Sequence, residues 1–193
     1  MMKSRLSLRQ WFFFHSKRRF LVLTGARRTG KSYVIDRYAI HQMAKGKAVL
    51  YVAQNGVLCK YKFDELMAII REHPFDEIHF FHPTRRISDM TSKGLIRFIP
   101  AEYFKPEELK CLEKFDIILW DEPLHMHEAI ARVRVAEAGL HRRFERVRLV
   151  GTIADWLSYQ KTKSALRKGE KLAIWRLSRR TIKKIARKFL KKI

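Results

Sequence analysis

The stretch VLTGARRTGKSY, residues 22–33, decides how the rest of the chain is read. It opens on apolar residues that continue from Phe20 and Leu21, turns at Gly25, and reaches Lys31 and Ser32 through two arginines and a second glycine, Gly30. A buried strand over 20–24 accounts for that order, with a glycine turn and then a helix over 31–44 that collects Val34, Ile35, Tyr38, Ala39 and Met43 on one side. Gly25, Ala26, Arg27, Arg28, Thr29, Gly30, Lys31 and Ser32 fit the phosphate-loop pattern GxxxxGK[ST] without a mismatch. In such a loop the glycines let the backbone wrap a phosphate, and successive N–H groups and the helix start face its oxygens. Lys31 is then expected to reach the β and γ phosphates, Ser32 to hold Mg²⁺, and Tyr33 to complete the lining. The expected ligands are ATP and Mg²⁺.

A second cluster makes the bound triphosphate one that is hydrolysed. FDIILW (115–120) reads as a short buried strand, and Asp121 and Glu122 follow it directly. Asp121 can then meet the magnesium beside Ser32, and a carboxylate one residue further on is placed to polarise the attacking water. The alternative is that Asp121 and Glu122 cap a helix opening at Pro123. Thr152, after the strand VRLVGT (147–152), stands where a sensor of nucleotide state is expected, and Gln10 is a candidate for the adenine edge. Phosphoryl transfer also calls for guanidinium groups. Arg27 and Arg28 lie within the loop, whereas Arg142, Arg143 and Arg146 lead into the last strand, a position from which a ring ATPase can face a neighbour's site.

Other apolar runs give further strands at 48–53, 77–81 and 94–100, with helices over 63–72, from Pro106, and over 124–144. Gly46 reads as a helix stop, and the segment between residues 82 and 93 as polar and turn-rich. Strands alternating with helices predict an α/β fold of the P-loop NTPase kind, a mainly parallel sheet sandwiched by helices. WFFF at 11–14 reads as a core or interface patch. His125, His127 and Glu128, or His79 with His82, lack a third ligand at a recognisable spacing, so no structural zinc is expected. Cys59 and Cys111 are too few for a disulfide framework and point to a reducing, cytoplasmic compartment. The acid-free start runs straight into the glycine turn, so no cleaved leader is expected.

The chain has 193 residues, a formal net charge of +23 and 47 % apolar residues, which excludes wholesale disorder. Its charge is unevenly placed. Residues 1–20 carry six basic side chains and no acidic one, residues 21–160 carry 22 against 18, and residues 161–193 carry 14 against one. A nearly balanced body between two cationic ends is the asymmetry of a polyanion binder. We therefore divide the chain into an ATPase domain over 1–160 and a basic tail over 161–193. SRRTIKKIARKFLKKI (178–193) has apolar residues at helical spacing and reads as a basic amphipathic helix, with Ser178 as its N-cap.

These segments resemble a known family, the ATPase engines of viral DNA-packaging motors: the terminase large subunits and, more closely, the short packaging ATPases of small podoviruses. The likeness is carried by LRQWFFFHSKRRFLVLTGARRTGKS (8–32), VLTGARRTGKSYVIDRYAIHQMAKGKAVLYV (22–52), FDIILWDE (115–122) and RRFERVRLVGT (142–152). The resemblance implies that Asp121 is the Walker B acid, Glu122 the catalytic base, Thr152 part of the coupling motif, and Arg142, with Arg146 beside it, the arginine acting across a subunit boundary. It further implies double-stranded DNA as substrate, a homo-oligomeric ring, a portal or other capsid-assembly protein as partner, and host cytoplasm as the location. Packaging ATPases usually continue into a nuclease-like domain, whereas roughly 40 mostly basic residues follow here, and no DNA cleavage is expected of them. A replication or transposition helper ATPase fits the same motifs. So does a virion-assembly or secretion ATPase docking through its basic tail, although a membrane is the less favoured target.

Overall fold

The computed structural model describes residues 8–25, 28–72, 77–112, 114–151 and, as backbone, 173–177. Three helices come early: α1 (Leu8–His15), α2 (Lys31–Met43) and α3 (Gly56–Arg71). They alternate with β1 (Phe20–Gly25) and β2 (Ala48–Ala53). A short antiparallel section follows, made of β3 (Ile78–Phe81), β4 (Arg86–Asp89) and β5 (Leu95–Pro100). After it come a 3₁₀ turn (Ala101–Tyr103), α4 (Pro106–Lys110), β6 (Ile117–Asp121), α5 (Met126–Gly139), β7 (Arg146–Gly151) and β8 (Ala173–Leu177).

Among the described residues the strands form one sheet in the order β3-β4-β5-β2-β6-β7-β1-β8, parallel from β5 to β8. Every residue of β1 and β6 is buried, as central parallel strands covered on both faces require. Side chains of a strand alternate between faces, and here the alternation divides the core in two. Leu21, Leu23, Ile117 and Leu119 pack with Phe13 of α1, Val34 and Tyr38 of α2 and Phe63 of α3. Phe20, Val22, Ile118 and Trp120 pack with Leu109 of α4 and Ile130 and Val133 of α5. The expected α/β sandwich is therefore present, with α1, α2 and α3 on one face and α4 and α5 on the other. No helix among the described residues is long and apolar enough to cross a membrane.

Three departures from the sequence reading have local causes. β4 lies in the segment read as turn-rich, because its polar residues bond to one another and to the next turn. Arg86 Nε donates to Ser88 Oγ at 2.8 Å, and Asp89 accepts from the Thr91 and Ser92 backbone N–H groups at 3.0 and 3.2 Å. α3 starts at Gly56 rather than at residue 63, since the Asn55 side chain caps it by accepting from Leu58 N at 2.9 Å. α5 spans Met126–Gly139, so Asp121 and Glu122 do not cap a helix opening at Pro123; His125 is the N-cap residue. The sheet also extends past residue 160, because β8 pairs with β1 inside the segment assigned to the tail. The amphipathic helix expected over 178–193 lies outside the described residues. Gly46 does end α2, with φ +74° and its N–H donated to Met43 O at 2.8 Å.

Candidate nucleotide site

The site is assembled by register. Thr24 of β1 lies opposite Gly151 of β7, and Val150 lies opposite Asp121 of β6, so Gly25, Asp121 and Gly151 end at one edge of the sheet. That edge is formed by the carboxyl ends of parallel strands, where open α/β sheets bind ligands. β1 leaves it through the glycine loop. Arg28 and Gly30 take left-handed backbone angles, φ +57° and +78°, which curl the chain back before α2 begins. Lys31 is buried and its ammonium donates to Gly25 O across the curled loop at 3.0 Å. The first turn of α2 carries no acidic residue and no side-chain cap, so the positive end of its dipole is left for an anion.

Asp121 ends β6 almost fully buried. Its Oδ2 lies 3.2 Å from the Tyr51 hydroxyl and 3.6 Å from Lys62 Nζ, whereas its Oδ1 is buried and finds no hydrogen-bond donor in range among the described residues. Burial raises the Asp121 pKa; Lys62 opposes the shift, the neighbouring Glu122 adds to it, and the Tyr51 and Ser32 hydroxyls oppose it. A carboxylate oxygen without a donor, beside a serine hydroxyl and inside a phosphate-loop cleft, is a donor set that suits Mg²⁺, a cation that takes few protein ligands beside phosphate and water. Glu122 follows in a left-handed conformation, φ +48°, unusual for a residue with a side chain. Its N–H donates to Val150 O at 2.7 Å, which fixes the turn against β7 while the side chain stays exposed. Ser32, Ala53, Gln54, Lys62, Asp121 and Glu122 line one open cleft of about 310 Å³.

Four groups absent from the sequence reading complete the site from behind. Lys62 Nζ reaches Asp36 Oδ2 at 3.0 Å and Glu65 Oε2 at 2.7 Å, and the Tyr51 hydroxyl lies 2.7 Å from Asp36 Oδ1. Burial pushes the Asp36 carboxyl up to about 7, against the pull of Lys62 and Tyr51. Burial also works against the Lys62 charge, but Asp36 and Asp121 outweigh it and hold the ammonium above its ordinary range. The signal that could have found Lys62 is its place in α3. With the helix starting at Gly56, it falls on the buried row of Cys59, Phe63, Leu66 and Ile70, where a lysine needs an acidic partner.

The raised Asp36 pKa has a measurable consequence. A carboxyl that holds its proton more tightly in the folded chain stabilises the fold fully at pH values below its unfolded pKa, 3.8, and that contribution is lost as pH rises through about 7. Urea midpoints of the wild type are expected to fall between these limits more steeply than those of Asp36→Asn. Equal slopes for the two proteins would contradict the assignment.

The architecture is similar to that of solved phage large terminases. The large terminase ATPase domain of Thermus phage P74-26 matches with a TM-score of 0.61 at 13 % identity, over 98 % of this chain and 87 % of that one. The fold is that of a phage large-terminase ATPase domain. The large terminase of a second, thermophilic bacteriophage matches with a TM-score of 0.64 at 14 % identity, and the chain covers half of that protein's length. The same thermophilic phage's terminase in complex with ATP-gamma-S also matches, with a TM-score of 0.58 at 11 % identity, over 95 % of this chain and 49 % of that one. No family model matches the chain, and no curated protein does.

Within this terminase-type fold the remaining candidates are spread unevenly. Gly25, Gly30, Lys31, Ser32, Asp121 and Glu122 come together at the carboxyl edge. Thr29 is half-buried in the loop and Tyr33 is exposed, with the Arg37 guanidinium 5.2 Å from its ring centre. Gln10 lies against the loop: its amide donates to Gly30 O at 3.2 Å. Ala26, Arg27 and Thr152 lie outside the described residues. Arg142 and Arg146 lie away from this cleft. Arg146 opens β7 at its amino end, five residue steps or about 16 Å from Gly151, and bonds Tyr38 Oη at 3.1 Å. Arg142 precedes that end, with its guanidinium 5.8 Å from the Phe144 ring centre.

Proposed function

We propose that the chain is an ATP-hydrolysing motor that binds double-stranded DNA and moves it, as part of a viral genome-packaging assembly. One observation carries the reading. Ser32, Asp121 and the exposed Glu122 line one cleft, and Lys31 stands in the adjoining loop with its ammonium on Gly25 O, an arrangement suited to phosphoryl transfer to water. The curled loop and the start of α2 would hold the phosphates, with Lys31 neutralising their charge. Ser32 and the unpaired Oδ1 of Asp121 would hold Mg²⁺. Bound Mg²⁺ supplies charge neutralisation at the transferring phosphoryl group. Glu122 takes up the proton of the attacking water, and its backbone, anchored to Val150, keeps the carboxylate at the cleft mouth. Gln10, bonded to the Gly30 carbonyl, braces the loop.

The basic segments at either end of the sequence suit the DNA backbone. A homomeric ring would bring the Arg142 edge of one subunit toward a neighbour's cleft, with a portal or other capsid-assembly protein as its seat. The test is ATP turnover with and without duplex DNA, together with DNA affinity across salt. Hydrolysis is expected to rise on adding DNA, and affinity to fall by at least about tenfold between 50 and 200 mM salt, because Lys and Arg contacts to phosphate release counterions. DNA that neither stimulates hydrolysis nor binds in a salt-dependent way overturns the motor reading and leaves the nucleotide site standing.

A further inference from the structure

We propose that Lys62 is a positioning residue that fixes the Asp121 carboxylate for the metal. The inference rests on the nucleotide reading of the site and deepens it. Lys62 joins three elements at one point: through Asp36 it holds α2, through Asp121 the end of β6, and with Glu65 it stays anchored on α3. Tyr51, from β2, spans the same two aspartates, with its hydroxyl 2.7 Å from Asp36 and 3.2 Å from Asp121. A tyrosine hydroxyl has a single proton to donate, so it cannot satisfy both carboxylates at once, and the ammonium supplies the donors that are missing.

The contacts on Asp121 are one-sided. Both Lys62 and Tyr51 approach Oδ2, while Oδ1 has no hydrogen-bond partner in range among the described residues and the Ser32 hydroxyl stands beside the carboxylate. A carboxylate held through one oxygen cannot rotate freely, and the other oxygen is presented in a fixed direction. Partners of metal ligands act in this way, orienting the ligand without touching the metal. A structural role alone is a poor account of the cluster. An ion pair this deeply buried is worth little to stability compared with well-packed apolar residues. Moreover, Lys62 and Glu65 line the same cleft as Ser32, Asp121 and Glu122.

The experiment measures equilibrium binding of a fluorescent ATP analogue with Mg²⁺ and with EDTA, for the wild type, Lys62→Met, Lys62→Gln and Tyr51→Phe. The affinity gain from Mg²⁺ is expected to shrink by about 10- to 100-fold in Lys62→Met, while affinity in EDTA stays within about twofold of the wild type. Turnover measured alongside should show the loss relieved by raising the Mg²⁺ concentration. A gain from Mg²⁺ that survives in Lys62→Met overturns the proposal, and so does an equal loss of affinity in both buffers, which is the signature of a merely damaged pocket. If Lys62→Met does not fold, Lys62→Gln carries the test: it replaces the ammonium by a shorter, neutral amide, and an undiminished Mg²⁺ gain there overturns the proposal, while Tyr51→Phe, which keeps Lys62 on Asp121, is expected to lose less of the gain than either. A wild type that binds no nucleotide defeats the reading of the site and this inference together, whereas an Mg²⁺-independent wild-type affinity defeats this inference alone.

Discussion

Glu122→Gln is expected to bind ATP with near wild-type affinity and to hydrolyse it about 10²- to 10⁴-fold more slowly, the range spanned by removal of a positioned general base. Glutamine keeps the length and shape of the side chain but its amide cannot accept the proton of an attacking water. The turn that aims the side chain is independent of the carboxylate. It is held by the Glu122 N–H donated to Val150 O, and the left-handed backbone at φ +48° is set by the link between β6 and β7. The variant should therefore leave the loop, Lys31 and the Asp121 carboxylate in place. Phosphate release under saturating ATP, compared with equilibrium nucleotide binding, separates the two effects. Turnover within about threefold of the wild type would remove Glu122 from the mechanism, because loss of a true base costs at least about a hundredfold.

A companion substitution isolates the backbone. Glycine at position 122 relieves the left-handed strain, since it adopts positive φ readily, but it also removes the carboxylate. Glu122→Gly should thus be as inactive as Glu122→Gln while being no less stable. A loss of stability would mean that the exposed side chain makes contacts that hold the turn.

The features legible in the sequence are those governed by local pattern. The run at 20–24 that leads into the phosphate loop, the runs at 48–53 and 94–100 and the segment ending in Asp121 are short, largely apolar and bounded by turn residues, and the structure has strands in these places. What was not legible depends on contacts between distant residues. β4 is polar by composition and is a strand because Ser88 and Asp89 find partners in their own turn and in the neighbouring strands. The cluster behind Asp121 draws one residue each from α2 and β2 and two from α3, and no spacing rule links Asp36, Tyr51, Lys62 and Glu65. The place of Arg146 depends on such a contact too: it opens β7 at the end opposite Gly151 and bonds Tyr38 Oη of α2 at 3.1 Å.

Arg148 had no place in the sequence reading, and its replacement carries the largest stability effect we expect. It lies in β7, fully buried, and burial lowers its pKa to about 10, which leaves it charged at neutral pH. Nη1 donates to Arg18 O at 2.8 Å and Arg19 O at 3.2 Å, and Nη2 donates to Ser16 O at 2.8 Å. Residues 16–18 carry the chain from α1 into β1 without regular structure, so the Ser16 and Arg18 carbonyls gain from the arginine donors that a helix or sheet would otherwise supply, while Arg19 O also accepts from Val147 N at 2.7 Å. The guanidinium also lies 5.9 and 5.4 Å from the ring centres of Phe13 and Tyr38. Arg148→Ala removes the donors and opens a cavity between α1 and α2, at a cost of about 3–5 kcal/mol. Arg148→Met fills most of the volume but removes the donors that reach the Ser16 and Arg18 carbonyls, and should cost about 2–3 kcal/mol. Because α1 carries Gln10 to the Gly30 carbonyl, both variants should also weaken nucleotide binding under conditions where they remain folded. Denaturant midpoints read the first effect and ligand titration the second. If Arg148→Met matched the wild type in both, the arginine would be acting by its bulk, and the link between the buried guanidinium and the phosphate loop would fail.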